Sequence, residues 1–276
     1  MASTGARCRV RAEAVGATGY LGCVFYWRQR QEPEAGRYGV EWAFTDRHGG
    51  VSQGHYGSLN LGAGVADDPA AVAENRSRVA RSLGLAPAKL RFMSQQHGCD
   101  VHTVHPGQEH SGSPDVDGIV ARGTSQGVAA LVADCTPVLL VDRSVGLVAA
   151  AHAGRPGMMA GVVPATVQRL RDLGAVSLEA IVGPSICGRC YEVPLRMREA
   201  AGAVSPVTPA VTWTGTPAID VAAGVVDQLT ELSVPCSWVP GCARESEDLY
   251  SYRGEGQTGR YAGVVRLLPP LGGEAA

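Results

Sequence analysis

The chain has 276 residues, with 24 lysines and arginines set against 26 aspartates and glutamates. That length suits one large domain or two small ones, and the near balance of charge argues against nucleic-acid binding as its main business. No stretch approaches the ~20 apolar residues of a membrane span. Eight cysteines are too sparse for a disulfide scaffold, which points to reduced thiols and a cytoplasmic protein.

The opening "MASTGARCRVRAEAVGATGYLGCVF" combines basic residues with an apolar patch, but Glu13 interrupts it and no small-x-small cleavage site follows. The stretch 28–38, "RQRQEPEAGRY", reads as a charged linker. Residues 1–37 are therefore expected to form a loosely attached or poorly ordered extension, followed by a domain over 38–270 and a tail at 271–276. "VEWAFTDR" alternates like a strand, and "HGGVSQGHYGSLNLG" is a glycine-rich polar loop. "DDPAAVAENRSRVARSLGL" predicts a helix capped by Asp67 or Asp68, with Pro69 in its first turn. Val72, Val79 and Leu83 supply its buried stripe, and Gly84 ends it.

"LRFMSQQHG" is a short apolar strand with a polar end, and "VHTVHPGQEH" places His102, His105 and His110 in what reads as an exposed loop. "GVAALVADC", a near-continuous apolar run, predicts a strand covered on both faces. "PVLLVD" and "GLVAAAH" follow, joined by a hairpin loop at 143–146. "GMMAGVVPATVQRLRDLG" is helical in character, but Pro156 suits a helix start and Pro164 an interior break, so a broken or late-starting helix is expected. Strands interleave with helices while hairpins also occur, which favours a mixed-sheet α/β domain. "CGRC" (Cys187, Cys190) and "CSWVPGC" (Cys236, Cys242) together could make a four-cysteine zinc knot, although only the first pair has a familiar ligand spacing.

The hairpin fixes a geometry. Pairing Asp142 with Leu147 sets Pro137 opposite His152, and Cys135 shares a face with Pro137 because side chains alternate along a strand. His152 and Cys135 are then diagonal neighbours, with Cβ atoms about 7–8 Å apart or less. At that separation they can meet at one metal ion or act as a nucleophile–base pair, provided the register does not slip. His97, where an apolar strand gives way to glycine, is the candidate third member. Two histidines and one cysteine with an open fourth position make a catalytic zinc set. On spacing alone, hydrogen-bonded core histidines beside a buried cysteine fit equally well.

"FTDRHGGVSQGHYGSLNLG", "ENRSRVARSLGL", "SQQHG", "ADCTPVLLVD", "AAAHAG", "VGPSICGRCYEV" and "SYRGEGQTGRYAGVV" occur in a fixed order. In this the chain resembles the YfiH/YlmD-type proteins, described as laccase-domain or polyphenol oxidase proteins and as purine nucleoside phosphorylases. The resemblance spans about residues 40 to 268. It implies a compact single α/β domain with two mixed β-sheets flanked by helices. It also implies a zinc-binding active site whose ligands match His97, Cys135 and His152. The activities implied are phosphorolysis of adenosine and inosine, adenosine deamination and methylthioadenosine cleavage, with purine nucleosides and phosphate as ligands.

Phosphorolysis needs cationic or amide donors to hold phosphate near the anomeric carbon. Arg47, beside "HGG", is the first candidate; Arg76 is a second, although a surface helix arginine reads equally well. Asn60 in "SLNLG" is suited to a ribose or base edge, or to stabilising its own loop. Asp134 is expected to point away from Cys135 and only orient the backbone. Two departures stand out: Arg155-Pro156-Gly157 replaces the family's Trp-Arg-Gly after "HAG", and Gly254 stands where a second arginine is common. Together they predict weakened phosphorolysis with the metal site retained. Copper-dependent phenol oxidation fits less well than zinc chemistry, because seven histidines occur with no His-x-His pair. Two further readings are a peptidoglycan-precursor editing hydrolase with Cys135 as nucleophile and an inactive metal-binding module.

Overall fold

The computed structural model describes residues 24–105 and 112–271. Strands β1 (Phe25–Gln31) and β2 (Gly39–Thr45) lead into helix α1 (Pro69–Ser82) and the short strands β3 (Leu90–Arg91) and β4 (Val101–Thr103). Strands β5 (Gly118–Arg122), β6 (Gly127–Val132), β7 (Thr136–Asp142) and β8 (Leu147–Ala153) follow, then helices α2 (Arg155–Ala160) and α3 (Val162–Asp172). Next come β9 (Glu179–Val182), α4 (Leu195–Val204), β10 (Pro209–Val211), β11 (Pro217–Ile219) and α5 (Val221–Glu231). Strand β12 (Cys236–Trp238), helix α6 (Tyr252–Glu255) and strand β13 (Tyr261–Leu268) complete the order.

These strands form two mixed sheets, β1-β2-β13-β6-β3 and β12-β9-β7-β8-β5-β4, with β10 and β11 as a separate hairpin. In the first sheet only β3–β6 is parallel; in the second, β4–β5 and β12–β9 are. Alternation along each strand divides the core into layers. Val148 and Ala150 of β8, with Leu139 and Val141 of β7, meet Trp42, Val128 and Val265 of the first sheet. Their neighbours Ala149, Ala151, Val138 and Leu140 face the opposite way, onto Val163, Val167 and Leu170 of α3 and Val225 and Leu229 of α5. Helix α1 covers the outer face of the first sheet, packing Val79, Ala80 and Leu83 against Ala43, Ala129 and Val264. The result is an α/β/β/α stack, the expected two mixed sheets flanked by helices.

The hairpin register matches the spacing argument, with Asp142 paired to Leu147 and Pro137 to His152. Asp68 caps α1 by accepting from Ala70 N–H, and Val72, Val79 and Leu83 are buried as expected. The expected break near Pro164 is also present: Gly161, at φ +86°, separates α2 from α3 and leaves Pro164 in the first turn of α3. There its missing N–H costs nothing.

Two readings need correction. The expected charged linker at 28–38 begins inside a strand: β1 pairs with β2 as an edge strand. Its charges have a structural use, because Arg28 of β1 and Arg266 of β13 both bond the fully buried Glu41 carboxylate of β2. Charged side chains on an edge strand also discourage pairing with other chains. The attached domain thus begins before residue 37, while residues 1–23 lie outside the described residues. His102 belongs to β4, paired with Ile119 of β5, and is not in a loop. His105 is exposed, and His110 lies outside the described residues.

Candidate active site

The space between the sheets opens at the start of β7 and the end of β8, and the alternation that sends Leu139 and Ala150 into it also directs Cys135 and His152 there. The ligand atoms of His97, Cys135 and His152 all lie within 4.8 Å of one another. His97 Nε2 is 3.7 Å from Cys135 Sγ, and the two imidazoles meet edge to face with centroids 4.7 Å apart. Gly154 is required here, because a Cβ on it would stand 2.7 Å from the His97 ring and 3.0 Å from Cys135 Sγ. This accounts for the glycine of "HAG".

The residue that organises the triad is Asp117, which sequence reasoning missed. Only 1% exposed, its carboxylate accepts the backbone N–H groups of Gln96 (3.1 Å), His97 (3.0 Å) and Gly98 (2.7 Å). It also bonds His152 Nδ1 at 2.8 Å. The turn wrapped around this carboxylate holds His97 at φ +62°, a left-handed conformation uncommon outside glycine. With Nδ1 engaged, His152 has Nε2 left as its ligand atom. The signal in the sequence was slight: one of two acids in "DVDG", just before a strand.

The electrostatics follow from these contacts. Burial opposes ionisation of Cys135, but the charge and hydrogen bonds of His152 and His97 prevail and bring the thiol down to about 6. Burial also disfavours charged His152, yet Cys135 and Asp117 raise it to about 9. Burial works against the Asp117 carboxylate too, and the bonds from His152 and the Gln96 and Gly98 amides hold it below its usual range. Two imidazoles and a readily ionised thiol suit a zinc ion that keeps one position open, and a histidine tied to a carboxylate is the usual support for such a ligand.

The triad lines a cavity of about 800 Å³ into which four arginines also face: Arg76, Arg155, Arg253 and Arg260. Arg76 donates from Nε to the Leu61 carbonyl and lies 4.1 Å over the Phe92 ring. Burial lowers it to about 10 and depresses Arg260 as well. Arg253 donates to the Glu192 carbonyl (2.6 Å) and stacks 5.0 Å over Tyr191.

The other candidates are placed differently. Arg47 pairs with Glu255 at 2.7 Å, lies 4.5 Å over the Tyr250 ring, and does not line the cavity. Asn60 is fully buried and is committed to Gly62, Asp67 and the backbone N–H of Arg260. It is a loop-stabilising residue that positions Arg260. Asp134 does more than orient its own backbone. At φ +97°, it accepts from Ser251 Oγ and Arg253 N–H, both at 2.6 Å, docking the start of α6 onto the cavity rim.

A cluster of two histidines and a cysteine able to hold a metal ion, at the mouth of a double sheet and under a cavity rich in arginine, defines a class of site rather than one activity. The family model described as multi-copper polyphenol oxidoreductase laccase matches residues 41–268, and the chain belongs to that family. It is 50% identical over 232 residues to a purine nucleoside phosphorylase of Streptomyces coelicolor, covering 83% of this chain and 96% of that protein. Among solved structures it is similar to the Neisseria meningitidis protein NMB0706, with 31% identity, TM-score 0.76, and 88% and 99% of the two chains covered. It is also similar to YlmD from Geobacillus stearothermophilus, with 28% identity, TM-score 0.77, and 90% and 100% covered.

Proposed function

We propose that this chain is a zinc-dependent purine nucleoside phosphorylase acting on adenosine and inosine, with adenosine deamination and methylthioadenosine phosphorolysis at the same site. One observation carries the reading: His97, Cys135 and His152 open onto a nucleoside-sized cavity that four arginines also line. The name of the Streptomyces coelicolor relative points the same way.

The chain's own residues divide the work. His97, Cys135 and His152 hold the metal, which supplies Lewis-acid polarisation when bound. Asp117 fixes His152 and the turn bearing His97. Arginines are suited to a phosphate dianion, since the guanidinium fork bonds two of its oxygens at once. In phosphorolysis a phosphate oxygen bonds the anomeric carbon, and the glycosidic electron pair leaves with the purine nitrogen. Arg155 lies on the cavity wall, and the absence of the usual Trp-Arg is expected to weaken phosphorolysis while the triad is retained.

Copper is the second reading, because a His₂Cys donor set also suits that metal. The deciding experiment is metal analysis of the purified protein together with adenosine assays with and without phosphate. Adenine and ribose 1-phosphate appearing only with phosphate, on zinc-loaded protein, is the expected outcome. Phenol oxidation on copper-loaded protein, or no base release from zinc-loaded protein, would overturn the assignment.

A further inference from the structure

A second cluster lies apart from the triad, built from two turns of the same design. In Cys187-Gly188-Arg189-Cys190 the last N–H bonds back to the first carbonyl at 3.0 Å; in Cys242-Ala243-Arg244-Glu245 the same closure measures 3.1 Å. Each turn thus carries a pair of ligand side chains at the Cys-x-x-ligand spacing of structural metal sites. A parallel β-bridge between Ser185 and Cys242 sets the turns face to face. Its two hydrogen bonds run from Ser185 N–H to the Gly241 carbonyl (3.4 Å) and from Ala243 N–H to the Ser185 carbonyl (3.0 Å).

We propose that Cys187, Cys190, Cys242 and Glu245 form a second, structural zinc site. Their ligand atoms all lie within 4.8 Å of one another, and Cys190 Sγ is 3.2 Å from Glu245 Oε1. Tetrahedral ligation with Zn–S bonds of about 2.3 Å places sulfur atoms about 3.8 Å apart, so the cluster needs little contraction. The Cys187 N–H points at Cys242 Sγ, 3.4 Å away, an arrangement that favours sulfur in its anionic, ligating form. Cys236, the fourth cysteine suggested by the sequence, is not part of this set. It sits on β12 and packs against the helical side of the core, and Glu245 takes its place.

Four protein ligands close the coordination sphere, so this ion carries no substrate. It joins turns 55 residues apart in sequence. Ile186 and Tyr191, flanking the first turn, line the large cavity. The second ion therefore fixes one wall of the candidate active site without entering it.

The test counts metal in the full-length protein, purified reduced and without chelator. Wild type is expected to hold two zinc ions per chain. The His97→Ala/Cys135→Ala variant is expected to keep one, and its cobalt(II) form to show intense thiolate-to-cobalt absorption although the triad's cysteine is gone. Cys190→Ser/Cys242→Ser is expected to lose that ion and retain the other. If this second variant fails to fold, the triad variant decides alone. A triad variant with no bound metal, a cobalt form lacking thiolate bands, or a mass deficit of two hydrogens from a disulfide among these cysteines would overturn the proposal.

Discussion

The triad of His97, Cys135 and His152 is assembled from three separate stretches of chain, whereas the sulfur cluster comes from two turns that each bring a ligand pair. In the triad, β-sheet register sets Cys135 diagonally beside His152, and the Asp117 carboxylate bonds both the turn of His97 and the ring of His152. In the cluster, backbone closure of each turn positions the ligands and one β-bridge brings the turns together. The triad has three ligands and faces a cavity; the cluster has four and closes on itself. Both clusters need the tertiary fold, but the triad draws each residue from a different stretch, whereas the sulfur cluster takes its residues two at a time from local turns.

The largest expected effect comes from removing a triad ligand. In Cys135→Ala, phosphate-dependent purine release should fall by more than about 100-fold, beyond the 10–100-fold typical of losing a supporting partner. The protein should still fold, with its melting temperature lowered by the stabilisation that the lost metal supplied. Activity persisting near the wild-type level would remove Cys135 from the site and erase the functional contrast between the two clusters.

Asp117→Asn should come next. The amide offers one acceptor oxygen where the carboxylate offers two, and three backbone N–H groups and a histidine compete for it. Zinc affinity at the triad is expected to drop about 10–100-fold, read by chelator competition, with faster amide exchange at residues 96–98. Metal in the sulfur cluster should be unaffected. Loss from both sites in parallel would mean that the clusters are coupled.

The same contrast explains what could be read along the chain. Spacing within the β7–β8 hairpin places Cys135 and His152 on one face as diagonal neighbours, because period-two alternation and a short loop leave few registers, but spacing alone does not separate a ligand set from core residues. Asp117 was not legible: its role lies in accepting three amides from a turn about twenty positions earlier, which no local pattern encodes. Glu245 was missed for a different reason, since an acid three residues after a cysteine resembles any surface acid until the partner turn is seen. Of the two candidate phosphate-binding arginines, Arg76 lines the cavity and Arg47 does not. Proximity to glycines favoured Arg47, but Glu255, brought in from near the C-terminus, occupies its guanidinium.

That pair supplies a graded test of the cavity. Arg76→Met should raise the KM for phosphate about 10- to 100-fold, in line with losing a charged hydrogen bond of about 1.5–3 kcal/mol. Arg47→Met should leave that KM unchanged and lower the melting temperature instead, as its ion pair and ring contact are lost. The reverse pattern would place phosphate at the "HGG" loop and leave the arginine-lined cavity without its proposed ligand.

The smallest effect is expected at the altered loop. Arg155 is the first residue of α2 and already lines the cavity, with Nη1 3.8 Å from Met159 Sδ. Pro156 behind it is compatible with a helix start. Replacing Arg155 by Trp and Pro156 by Arg moves the cation by one helical position, about 100° around the axis, and adds an aromatic wall. If the shifted guanidinium still reaches phosphate, kcat/KM for phosphorolysis should rise by no more than about fivefold, roughly 1 kcal/mol. The fall in KM for phosphate should exceed that for adenosine. A gain far above this would mean that Arg155 binds phosphate poorly in the native chain, whereas a loss would mean that this loop has come to depend on Arg155 where it stands. Either result leaves the triad intact, because His152 and Gly154 keep their places ahead of the exchanged residues.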